Sequence, residues 1–329
     1  MKKENLVKSL ALWAAVAALF ALPVLRAAEA NYTADGGTVG SGVEHAIAIG
    51  SAVASKDNTI AIGNGTQATG HMSVAIGLNA QATHIGTSAY GNNAQATGSG
   101  SSAYGDSAHA TESGSSAYGY NAQAAGAYSS AYGFYAHATG SGSSAYGSEA
   151  LASADNSIAI GSGSSTDTGY LKYTKATAER AAAIGYLAQA TAVDALALGS
   201  NANAAADYAT ALGANASASE SYSIAIGSAD ATEDRAIAIG NGTQVTGRRS
   251  VAVGLDAQAA KGGSSAYGSS AKATGINSSA YGANANASGG ASSAYGNGAI
   301  ASADNSIAIG SGYDSYDMYF SKQIGRAHV

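Results

Sequence analysis

Cysteine is absent from the 329 residues, proline occurs once, and only 11% of positions carry a charge. Without Cys there is no disulfide framework, so the fold is not a stapled secreted scaffold and does not depend on redox conditions. One Pro beside 44 Gly excludes a collagen helix, which needs Gly at every third position and abundant Pro. Scarce charge and a formal net charge of −6 argue against a highly charged disordered chain. Aromatics reach only 7%, with three Phe and one Trp, although hydrophobic letters make up 46%. The apolar share is therefore mostly alanine, and the large aliphatics of an ordinary core are thin. Such a composition points to a repetitive structural protein.

Lys2, Lys3 and Lys8 open the chain with positive charge, an apolar run follows from Leu10 to Leu22, and Ala28-Glu29-Ala30 offers small residues at two positions. These are the three parts of a secretory signal, expected over residues 1–30. The apolar run is shorter than the ~20 residues of a membrane-spanning helix. Cleavage after Ala30 would leave 11 basic and 19 acidic residues, a net charge of −8. Nucleic acid is then not an expected partner, because that affinity comes from Lys and Arg neutralising phosphates.

Beyond residue 42 one pattern recurs. A tetrad ending in Gly, with Ala two places before it, occurs nineteen times, at Gly50, Gly63, Gly77 and onward to Gly310. Fifteen of the eighteen intervals are 14 residues, two are 13, and one, from Gly161 to Gly185, is 24. A fixed short period over most of a chain is the mark of a stacked solenoid. Taking the Gly as position 0, position −2 is Ala in every copy, including Ala48, Ala61, Ala75, Ala103, Ala159, Ala211 and Ala308. The residues at −3 and −1 are larger, an alternation of period 2 that predicts a strand. Positions +3 and +5 are again mostly Ala, as in Ala94-Gln95-Ala96, which predicts a second short strand with a small-residue face and a polar face. Gly, Asn and Ser between the strands supply turns. Each repeat is thus one coil, and nineteen coils at strand spacing make a rod about 90 Å long. Ala at −2 is expected at the tightest point between two sheets; Leu at Ala103 or Ala211 would overpack it by about 1–3 kcal/mol or more.

In eight copies position −1 is Tyr: Tyr90, Tyr104, Tyr118, Tyr132, Tyr146, Tyr267, Tyr281 and Tyr295. Each of these has Ser at −3, whereas copies with an aliphatic residue at −1 mostly carry Ile, Leu or Val there. Linked choices of this kind are expected where a face packs against something. A thin coil with an alanine interior buries little apolar area against the entropy of ordering its backbone. The −3/−1 ladder is therefore expected to pack against further copies of the chain in a cyclic oligomer. The other reading of the Tyr ladder is an exposed adhesive stripe.

The copies Ser157-Ile158-Ala159-Ile160-Gly161, Ser223-Ile224-Ala225-Ile226-Gly227, Ser250-Val251-Ala252-Val253-Gly254 and Ser306-Ile307-Ala308-Ile309-Gly310, two of them preceded by Asn156 and Asn305, resemble the head repeat of YadA-type trimeric autotransporter adhesins. The resemblance spans about residues 43–312. It implies a left-handed parallel β-roll, three chains side by side on a Gram-negative surface, and attachment to host matrix proteins such as collagen, fibronectin or laminin, or to other cells. Three features depart from that pattern. The Tyr-bearing copies differ from the aliphatic form. The long interval reads as a head insertion, with Tyr170, Lys172, Tyr173 and Lys175 as candidate ligand contacts. The chain also stops at Ser321–Val329 with a tail resembling at best the start of a neck, so either the chain is a fragment or its membrane anchor is supplied some other way. The expected organisation is a signal over 1–30, an N-terminal cap over 31–42, rungs over 43–161, the insertion plus one coil over 162–184, rungs over 185–312 and a tail over 313–329.

An internal duplication is also visible: Asn64–Gly70 matches Asn241–Gly247, and Ser153–Gly161 matches Ser302–Gly310. The two offsets, 177 and 149 residues, differ by 28, or two coils, as expected if length changes by whole rungs. Chemistry is sparse by comparison. His109 and His137 share position +4 but lie two coils apart, about 9.5 Å, too far to ligate one metal. They read as solvent-facing substitutes for Gln. Arg248-Arg249 reads as an isolated surface pair, and no nucleophile elbow or phosphate loop emerges. No cofactor, metal site or catalysis is expected. Besides an adhesin head, the repeat is compatible with a structural or regular-surface-binding solenoid, such as an ice-binding or biofilm matrix protein. An ice-binder needs matched Thr rows that the mixed +4 face lacks, and a polysaccharide-cleaving solenoid needs clustered Asp, Arg or Lys along a groove.

Overall fold

The computed structural model describes residues 31–163 and 173–311. The expected signal over 1–30, Tyr170, Lys172 and the tail over 313–329 lie outside the described residues. The described chain is a parallel β-solenoid without a helix. Each 14-residue rung carries a three-residue strand and a two-residue strand, as in Ser88–Tyr90 and Gln95–Ala96, separated by two tight turns. The longer strands stack into a 20-stranded sheet, here sheet A, and the shorter ones into a second ladder, sheet B. Register is like over like: Ser102, Ala103 and Tyr104 pair with Ser88, Ala89 and Tyr90 on one side and with Ser116, Ala117 and Tyr118 on the other. The expected cap is built the same way, since Tyr32–Ala34 pairs with Ile47–Ile49 and Thr38–Val39 with Val53–Ala54.

Short strands suffice because the turns are bonded from rung to rung as well. The Gly91 amide donates to the Ile76 carbonyl at 2.9 Å, Asn93 to Leu78 at 2.8 Å, and Gly100 to Ile85 at 2.9 Å. Backbone groups along the coil are thereby satisfied, which buried backbone requires. Both turns hold a residue near φ 50–70°, at +2 and at +9, for example Asn93 (φ 53°) and Gly100 (φ 67°), and the first turn also opens on the repeat Gly at positive φ, as Gly91 (φ 136°). The two sites are seven residues apart, so a rung is two similar halves of turn and strand.

The interior is a single column of small side chains. Position −2 is fully buried in all nineteen rungs, from Ala48 to Ala308, as expected from the alternation. Ala at +3 and +5 is equally buried, as Ala94 and Ala96 are. A fourth inward position, −4, is occupied by Ser, Thr or Ala and is also fully buried, as at Ser115, Thr87 and Ala181. In several rungs its hydroxyl bonds locally, Ser115 Oγ donating to the Glu112 carbonyl and Ser157 Oγ to the Ala154 carbonyl, each at 2.6 Å, whereas those of Ser73, Ser101 and Ser143 are buried without a partner. Where Thr replaces Ala at +3, it bonds to the next rung, Thr174 Oγ1 donating to the Gly185 carbonyl at 2.7 Å and Thr66 Oγ1 to that of Gly77. Val245 is the largest fully buried side chain.

Candidate binding surfaces

With −4, −2, +3 and +5 turned inward, the outward residues sort into three surfaces. On sheet A, positions −3 and −1 form continuous ladders. Five rings, Tyr90 to Tyr146, stack with centroids 4.6–4.9 Å apart and planes within 10°. Tyr267, Tyr281 and Tyr295 stack at 5.1 and 5.3 Å. Strand spacing imposes that distance, which suits offset stacking. Burial, and then the neighbouring phenols, push Tyr90, Tyr132 and Tyr281 above the ordinary phenol range. Each ring leans on its neighbours, yet the ladder as a whole faces outward: Tyr146, Tyr295, Ile160 and Ile309 are exposed in the single chain. This is a long apolar strip with nothing over it among the described residues.

The second surface is the +4 row of sheet B, with Gln67, Gln81, Gln95, His109, Gln123 and His137 in register. Its side chains are covered in part by their neighbours, so His109 and His137 are half-buried rather than open to water. Burial lowers the affinity of His137 for a proton. Lys175 belongs to this row: it lies in the strand Lys175–Ala176, pairing with Leu151 and Gln189. The extra residues therefore enter at the first turn, after Gly163, and the regular rung resumes with buried Thr174. Tyr173 stands at that return point.

The third surface is the pair of turn edges. On one, Arg180 donates from Nε to Asp194 at 2.7 Å, Tyr208 stacks on Tyr222 at 4.8 Å, and the Arg235 guanidinium sits 5.5 Å from the Tyr222 ring centre. The Asp194 carboxyl is held below its usual range by Arg180. Arg248 is tied to Asp234 at 3.0 Å, so the densest basic pair is partly neutralised by an acid. Among the described residues no group of three His, Asp or Glu comes together as a metal site.

The YadA head domain repeat model matches residues 44–66, 68–94, 96–122, 110–136, 138–164, 176–202, 204–229, 231–257 and 287–312, well over half of the chain. The chain belongs to the YadA head-repeat family. Heads of this family are parts of adhesin-type bacterial surface proteins. The rungs at Gly268 and Gly282, outside the matched stretches, keep the same strands and buried alanines as the rest of this YadA-type head. No curated protein matches the chain.

Proposed function

We propose that the chain is a non-enzymatic head rod of a trimeric surface adhesin, attaching its bacterium to host matrix through repeated rungs. The observation that carries the reading is the uncovered −3/−1 strip of sheet A. It is apolar or aromatic along most of the rod, uncharged, and longer than a monomer of this size ordinarily exposes. Three copies placed around an axis would bury their strips against one another, which supplies the core that the alanine column does not. Sheet B and the turn edges would then face outward. Each rung on each copy offers a similar weak contact, and linked weak contacts raise avidity without a strong single site. Tyr170, Lys172 and Tyr173 of the insertion are candidate ligand contacts, with Lys175 following them in the +4 row. A secretory leader over residues 1–30 and surface anchoring fit the same reading.

The test is the solution mass of residues 31–329 by light scattering, together with binding to immobilised collagen, fibronectin and laminin. A mass three times that of the chain and saturable binding to at least one matrix protein are expected. A monomer that binds none of them rejects the proposal.

A further inference from the structure

One edge of the rod departs from its own repeat. Position +2 is left-handed and holds Asn, Gly, Ser or Asp in most rungs. In the rung of Gly133 it holds Tyr135 at φ 52°, with Phe134 before it and Tyr120 one rung earlier. Left-handed backbone is costly for a bulky side chain. The rungs on either side fold with Asn121 and Glu149 at the same place, so stacking does not require the ring. Phe134 meets Tyr135 edge-on at 4.5 Å and stacks with Tyr120 at 5.4 Å, forming a corner of three exposed rings.

Where this corner meets sheet B, a groove of about 400 Å³ crosses three rungs, lined by Tyr135, His137, Glu149, Leu151 and Tyr173. That volume is within the range of small-molecule sites. The Oε2 oxygen of Glu149 is buried without a hydrogen-bond partner. An acceptor left unpaired in this way is costly; the oxygen is closed to water as it stands, so a ligand recovers that loss only by drawing the carboxylate out toward the groove. Two aromatic side chains and Leu151 thus give the groove apolar lining. Two phenols, an imidazole and a carboxylate supply both donors and acceptors around it.

The geometry points to a carbohydrate-binding site that takes a terminal hexopyranose unit. A pyranose has one face of C–H bonds, which stacks on the electron-rich face of an aromatic ring. Its hydroxyl rim donates to Glu149 and accepts from the phenols. An aliphatic ligand would leave the Glu149 oxygen unpaired, and an anionic one would meet its charge. The site occurs once per chain, so it goes beyond attachment through repeated rungs and does not rest on it.

The experiment is saturation-transfer NMR and titration calorimetry of the full-length chain. The probes are the methyl pyranosides of glucose, galactose, mannose and N-acetylglucosamine, with lactose and chitotriose. At least one of the six should bind, with transfer strongest to the C–H protons of one ring face. Tyr135→Asn, which installs the usual residue of this turn, and Glu149→Gln should each weaken binding at least tenfold. Tyr208→Asn, at the other turn, should leave it unchanged. Binding of none of the six sugars, or full binding by Tyr135→Asn, overturns the site. Collagen, fibronectin and laminin binding is measured on the same variants, and its absence bears on matrix attachment alone.

Discussion

A methyl group is the largest side chain that most inward positions accept, because two sheets joined by strands of three and two residues leave little depth between them. The same economy governs the turns. A Cβ on Gly91 would collide with the Gly105 carbonyl, and its φ of 136° disfavours any side chain. Gly100 also has positive φ, but a Cβ there meets nothing within 4 Å. Gly91→Ala should therefore cost about 2–5 kcal/mol, strain and collision together, against about 1 kcal/mol for Gly100→Ala. Urea unfolding of the two variants checks the difference; equal losses would contradict the rung spacing. His137 provides a pH readout. Burial favours its neutral ring, so the unfolded chain binds the proton more readily. Its contribution is complete above the ordinary imidazole range and is lost as pH falls through that range. His137→Gln, the residue used at Gln123, should flatten part of the fall in melting temperature between about pH 7 and 5.

At the scale of the element, the strands and their inward alanines are legible in the sequence because period 14 and period 2 coincide at −2. Position −4 carries the same signal, since it is Ser, Thr or Ala in every rung, but a small hydroxyl residue beside Gly, Asn or Ser reads equally as part of a turn. The seven-residue halves were hidden because +7 varies among Gly, His, Glu, Ala and Lys, while only the first turn keeps its Gly. The limits of the insertion were hidden for a different reason. Its length fixes how many residues are extra, not where the strand resumes, and a +4 slot that accepts Gln, His, Leu or Lys gives no marker. Thr174 gives it in the structure, by its bond to Gly185. Deleting residues 164–173 joins Gly163 to Thr174 and restores the 14-residue interval, leaving Ser-Gly-Thr where other rungs have Asn64-Gly65-Thr66 and Asn241-Gly242-Thr243. That variant should keep its circular dichroism spectrum and melt within a few degrees of the parent. A deletion that also removes Thr174 should melt lower.

For the whole molecule, the proposed function puts assembly on sheet A and ligand contact on sheet B and the turn edges. Charge on the Tyr ladder should therefore act on assembly. Tyr104→Glu with Tyr118→Glu sets two carboxylates on adjacent rungs of the strip, and the solution mass should fall to that of one chain. Gln95→Glu with Gln123→Glu on sheet B should leave the mass unchanged. If both pairs dissociate the particle, or neither does, the strip is not the seam.

The rung-to-rung hydrogen bonds also decide how such a rod answers a pull. They run along its long axis, so if the rod tethers a cell as proposed, tension would load them directly rather than in shear. A rung that opens releases 14 residues, roughly 45 Å of slack beyond the spacing it occupied, while its neighbours stay closed. The head would then behave as a ratcheted spring, yielding one coil at a time and sparing the bond at its tip.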